Sequence, residues 1–84
     1  MKPGELHRRI GEAVRAERGR QQVSQEAFAD RIGMHRTAFG AFERGEKDFQ
    51  LSTLQRVATG LRVHIWTLVQ SAESALSSRE RLQP

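Results

Sequence analysis

No cysteine occurs among the 84 residues. That excludes a disulfide framework and a thiolate metal site, and it fits a reducing cytoplasm. No apolar run approaches the roughly 20 residues that span a bilayer. The N-terminus, Met1-Lys-Pro-Gly-Glu5, lacks the apolar stretch of a secretory signal. The expectation is a soluble cytoplasmic protein with no membrane partner. Strand-like alternation, internal repeats and low-complexity tracts are also missing. So are the marks of an enzyme, because there is no glycine-rich phosphate loop and no nucleophile–base constellation. His7, His35 and His64 share no ligand spacing, so no metal and no cofactor is expected.

What the chain has in quantity is arginine, which supplies twelve of its fourteen basic residues against ten acidic ones, for a net charge of +4. The guanidinium fork suits phosphate and guanine. A charge of this size is compatible with nucleic acid without requiring it. The length allows one domain with a modest core, so large apolar residues at periodic positions belong to that core.

Helical spacing recurs along the chain. Leu6, Ile10, Ala13 and Val14 predict a first helix from about Glu5 to Arg18, ended by Gly19 and the polar run to Gln22. Val23 returns to the core, and Ser24 is an N-cap for a second helix, with Glu26 in its first turn. That helix runs to Arg31 or Ile32. A turn at Gly33-Met34-His35 leads to a third helix, Arg36 to Arg44, stopped by Gly45. Leu51, Leu54, Val57, Ala58 and Leu61 mark a fourth, with Gly60 near its end. Val63, Ile65, Trp66, Leu68 and Val69 mark a fifth. The predicted domain is 1–70, followed by a polar extension, 71–84, helical at first and then partly disordered.

The stretch from Gln25 to Arg44 is the most informative. Ala29 is small where two helices must nearly touch, and Gly33 follows where the chain turns sharply. Phe28, Ile32, Met34, Phe39 and Phe42 point both apolar faces into one core. In this order these features predict a helix-turn-helix that reads double-stranded DNA. Arg36 and Thr37 open the third helix, where a docked recognition helix meets base edges. Ala41 lies one turn further on the same face, small enough for a thymine methyl, and Ala38 is similarly placed. Gly40 costs about 1 kcal/mol relative to alanine inside a helix; either the DNA surface approaches closely there, which is the expectation, or the position is simply tolerated. Gln25 begins the second helix, where amide N–H groups suit a phosphate. Arg44, Lys47 and Ser52 are further phosphate partners that set register rather than sequence.

The same residues resemble the phage-repressor and Cro group of helix-turn-helix regulators, the xenobiotic-response-element family, over roughly Ile10 to Val69. The resemblance rests on Arg18, Ser24-Gln-Glu-Ala-Phe-Ala29, Gly33-Met34, Phe42-Glu-Arg-Gly45 and Leu54 through Leu61-Arg-Val63. His35-Arg-Thr37 with Glu43-Arg-Gly-Glu46 is further similar to small restriction–modification controller proteins. It implies an all-α, compact five-helix lambda-repressor-like domain with the motif at helices 2 and 3, acting as a dimer on two half-sites. It also implies that Gln25 braces the third helix while touching the DNA backbone, and that Arg18 and Glu43 form a structural pair. His35 and Gln50 stand where the family usually places Ser or Thr caps.

Trp66 is the only tryptophan, and its neighbourhood is more apolar than one short helix hides. Ile65, Trp66 and Val69 are therefore expected at a homodimer interface. Phe49 either joins that patch or closes the loop over the core. The resulting expectation is a repressor or autoregulator on a pseudo-palindromic operator, with no small-molecule effector. The alternative is a protein-binding module, such as an antitoxin-like partner, built on the same scaffold.

Overall fold

The computed structural model describes residues 4–46 and 48–81. Among these there are five helices and no strand: α1 (Glu5–Arg20), α2 (Gln25–Ile32), α3 (Arg36–Arg44), α4 (Leu51–Leu61) and α5 (Ile65–Arg81). α1 lies against α3 and α5, while α2 lies against α3 and α4. Their facing apolar stripes make one core of Ile10, Val14, Phe28, Ala29, Ile32, Phe39, Phe42, Leu54, Val57, Ala58, Leu61, Leu68 and Ala72. Phe28 and Phe39 are its largest fully buried side chains, with ring centroids 5.1 Å apart. They hold the two helices of the motif together through the area they remove from water.

The ends of the helices follow local chemistry. Ser24 Oγ accepts from the Ala27 N–H at 3.1 Å and starts α2. Gly33, at φ 69°, ends it in the left-handed region, where the Met34 N–H reaches the Ala29 carbonyl. This is the turn that favours glycine. His35 caps α3 through its ring, as Nδ1 accepts from the Thr37 N–H at 3.3 Å. Gln50 makes no side-chain cap; its carbonyl alone accepts from Thr53 and Leu54.

Several expectations need correction. α1 does not stop at Arg18. It carries Gly19 and runs to Arg20, because Gln22, at φ 58°, makes the turn and the Val23 N–H returns to the Arg18 carbonyl. The added turn is tied by Arg20, which bonds Glu17 at 3.0 Å and holds that carboxyl below its ordinary value. Gly60 falls near the end of α4 as expected, packed against Phe28 and Ile32, and Arg62, at φ 61°, closes the helix. Leu51 lies outside the core, 72% exposed at the first turn of α4. The boundary drawn at residue 70 falls within α5, where Ala72 is a core residue. Phe49 closes over the core: its ring sits 4.6 Å from Phe42 and 4.7 Å from His7 of α1.

Candidate nucleic-acid interface

α3 turns one face inward and leaves the other open. Phe39, Gly40, Phe42 and Glu43 are buried, whereas Arg36, Thr37, Ala38 and Arg44 are exposed and Ala41 is half-buried. Thr37, Ala41 and Arg44 stand at helical spacing on that outward side, with Ala38 toward the loop that leads to α4. Thr37, Ala38 and Ala41 border an apolar hollow of about 540 Å³, shared with Met34, Phe42 and Phe49. The centre of the outward face is therefore made of small side chains, and a surface can approach it closely.

Arg36 flanks that face on the α2 side. Its Nη1 lies 3.9 Å from Glu26 Oε2, both side chains being well exposed. The carboxylate sits in the first turn of the neighbouring helix, within reach of the guanidinium but too distant for a tight hydrogen bond.

Behind the face is the group that holds it in place. Glu43 is 5% exposed and accepts three hydrogen bonds. Arg18 Nε donates to Oε2 at 2.8 Å and Arg18 Nη2 to Oε1 at 3.2 Å. Gln25 Nε2 donates to Oε1 at 2.8 Å. The third nitrogen of Arg18, Nη1, donates to the Val23 carbonyl at 2.8 Å. One carboxylate thus joins α1, the start of α2 and the end of α3, and a bidentate pair of this kind fixes orientation as well as distance.

Gly40 lies beside Gln25 and Arg44. It is buried, and a Cβ there would lie 3.2 Å from Arg44 Nη1 and 3.5 Å from Gln25 Oε1. The Gln25 contact is an ordinary one, and the closer Arg44 Nη1 is the far end of a flexible side chain.

Of the expected phosphate partners, Gln25 and Arg44 share a cleft of about 360 Å³ with Arg15, Arg18 and Glu43. Three guanidiniums around one carboxylate leave the cleft positive, which suits a phosphate. Arg15 was not singled out from the sequence, although it precedes Arg18 by one helical turn and so shares its face. Arg44 pairs with Glu46 on the surface. Ser52 is exposed at the start of α4, donating to Gln50 Oε1 at 3.3 Å. Lys47 lies outside the described residues.

The residues expected at an interface between copies are on another side of the molecule. Trp66 is 61% exposed and stacks on His64, ring centroids 6.2 Å apart. Ile65 and Val69 are half-buried beside it. Together with Gln55, Ala58, Thr59, Val63 and His64 they line an open hollow of about 590 Å³ between α4 and α5. Leu51 precedes Gln55 by one turn on the same flank of α4. No helix among the described residues is long and apolar enough to cross a membrane.

Comparison with known proteins agrees with this architecture. Control protein C.SmaI of Serratia marcescens is 39% identical over 56 residues, 67% of each chain. The restriction-modification controller protein C.AhdI of Aeromonas hydrophila superposes with a TM-score of 0.70 at 30% identity, over 73% of this chain and 92% of that one. The clp gene regulator ClgR of Corynebacterium glutamicum shares the fold, with a TM-score of 0.84 at 20% identity over 90% and 81% of the two chains. The profile described as a helix-turn-helix domain matches residues 9–65. With that match across most of its length, the chain belongs to the helix-turn-helix family, a family of DNA-binding regulators rather than enzymes.

Proposed function

We propose that the protein is a sequence-specific transcriptional regulator, a repressor or autoregulator of the controller type, that binds a pseudo-palindromic operator as a homodimer in the cytoplasm. The observation that carries this reading is the open face of α3, small at its centre and flanked by guanidiniums. Arg36 reads a base, forking to guanine O6 and N7. Thr37 contacts a neighbouring base, and Ala38 and Ala41 allow the groove to close over the helix, Ala41 against a thymine methyl. Gln25, Arg44, Lys47 and Ser52 hold phosphates, with Arg15 and the cleft at the start of α2 adding to that grip. Trp66, Ile65 and Val69 join two copies. Two recognition helices then meet successive major grooves about 34 Å apart. The names of C.SmaI and C.AhdI, a control protein and a restriction-modification controller, support the controller reading.

Selection of bound duplexes from a random pool at near-physiological salt tests the proposal. A two-fold motif with half-sites about one turn apart is the expected result. Salt-sensitive binding with no enriched motif would instead favour a protein-binding module, a reading that draws on the exposure of Trp66 and Leu51.

Two substitutions separate the proposed roles. Arg36→Ala is expected to relax preference at one base position, losing about 1–3 kcal/mol of discrimination there. Arg44→Ala is expected to weaken operator and random DNA alike and to reduce the salt slope by about one. Titrations of both variants on operator and scrambled duplexes, repeated across salt, check the pair. Equal losses on both duplexes for Arg36→Ala would remove it from base reading.

A further inference from the structure

From Phe49 to Ala72 the chain contains no acidic residue, and its charges there are Arg56 and Arg62, with His64 beside them. Arg62 and His64 stand where α4 passes into α5, and His64 is stacked on Trp66. The first carboxylate after this stretch is Glu73, exposed on α5. It follows Trp66 by seven residues and so lies on the same stripe, with Val69 between them. The exposed apolar stripe thus has a basic corner, at Arg62 and His64, and an acidic end at Glu73, which lies about 12 Å along α5 from Ile65 at 1.5 Å per residue. Neither the Arg62 guanidinium nor the Glu73 carboxylate has an ion-pair partner among the described residues.

Arg62 has a second peculiarity. It occupies a left-handed position, φ 61°, where a helix C-terminus ordinarily places glycine. A long cationic side chain kept at a site that disfavours it is a reason to look for what that side chain meets.

We infer that a second copy of this chain covers the stripe in antiparallel register, with Arg62 of each copy paired to the partner's Glu73 and Trp66 near the two-fold axis. This rests on the dimer reading proposed above and gives it a register. An isologous interface matches residue i to j and j to i. A stripe with opposite charges at its ends is complementary to itself only when one copy is reversed, since a parallel arrangement sets like against like. The register also orders the interface, with an aromatic anchor at the middle and charge pairs at both rims. The rim pairs select orientation more than they add strength.

Sedimentation equilibrium on the full chain at low salt, with circular dichroism to confirm folding, tests the register through charge reversal. Arg62→Glu and Glu73→Arg each place like charges opposite one another twice per dimer, and each is expected to weaken self-association at least tenfold. An equimolar mixture of the two variants restores both attractions, so the mixture is expected to associate about as tightly as wild type. The double variant should dimerise with itself for the same reason. A misfolded variant would not be rescued by mixing. If wild type dimerises but the reversed variants do so equally well, or the mixture fails to recover, the register is overturned and the dimer stands. If wild type is monomeric at concentrations that saturate operator DNA, the dimer reading falls and the register with it.

Discussion

Gly11→Ala is expected to destabilise the protein by about 3 kcal/mol, at the upper end of the usual range for overpacking. A Cβ on Gly11 would stand 2.3 Å from the Glu43 carbonyl oxygen, 2.8 Å from its carbon and 2.8 Å from the Phe42 oxygen. All three are backbone atoms, so no side-chain rotation relieves the clash. The two helices cannot move apart freely either. Separation would stretch the bonds from Arg18 to Glu43. For a domain of this size each kcal/mol lowers the melting temperature by roughly 4–8 °C. Gly19→Ala, in the same helix but with nothing within 4 Å of its Cβ, is expected to stabilise by about 0.5–1 kcal/mol through helix propensity. Urea unfolding of both variants gives opposite signs if α1 crosses α3 at Gly11. Matching signs would mean that the crossing is not there.

Glu43→Ala should produce the other large loss, about 2–4 kcal/mol. Its carboxylate is the shared acceptor for Arg18 and Gln25, and the side chains of Arg18 and Glu43 are 14% and 3% exposed. Removing one member of a buried pair strands the other charge, for which the cost is about 3–5 kcal/mol in a fully buried setting. Arg18 keeps the Val23 carbonyl and a little solvent, which brings the expected loss to the low end of that range and below it. Replacing both partners with apolar side chains, Arg18→Met with Glu43→Leu, is expected to recover most of the loss, since no charge is then stranded. Denaturation of the single and double variants provides the coupling energy. If the double variant is as unstable as the sum of the singles, the pair contributes through packing rather than charge. Glu43→Ala also releases Gln25, so any variant that folds should bind DNA more weakly than its stability alone would suggest.

Much of the architecture is readable from the chain because it is local. Ser24 announces a helix start by the acceptor it offers, and Gly33 and Gly45 announce stops by the left-handed conformation they tolerate. The spacing of Phe28, Ile32, Phe39 and Phe42 follows from 3.6 residues per turn and needs no knowledge of the partner helix. Where local cues were ambiguous they misled. Gly19 reads as a stop, yet it lies within α1, because Gln22 accepts the left-handed turn instead.

The number of helices, their approximate limits, the face of α3 left free of large apolar residues and, through family resemblance, the meeting of Arg18 with Glu43 are all legible in the chain. Tertiary structure alone decided which small residues separate which helices. Gly11 lies under α3 and Gly60 against α2, while Gly40 lies beneath Gln25. It also turned Phe49 toward His7 and Phe42, left Leu51 outside the core, brought Arg15 to the cleft at Gln25 and set Glu26 beside Arg36. The physical reason is a difference of range. Helical periodicity is set by bonds between residues four apart. Contacts between helices depend on crossing angle and on how ridges of one surface settle into grooves of another, and no short stretch of sequence carries both surfaces.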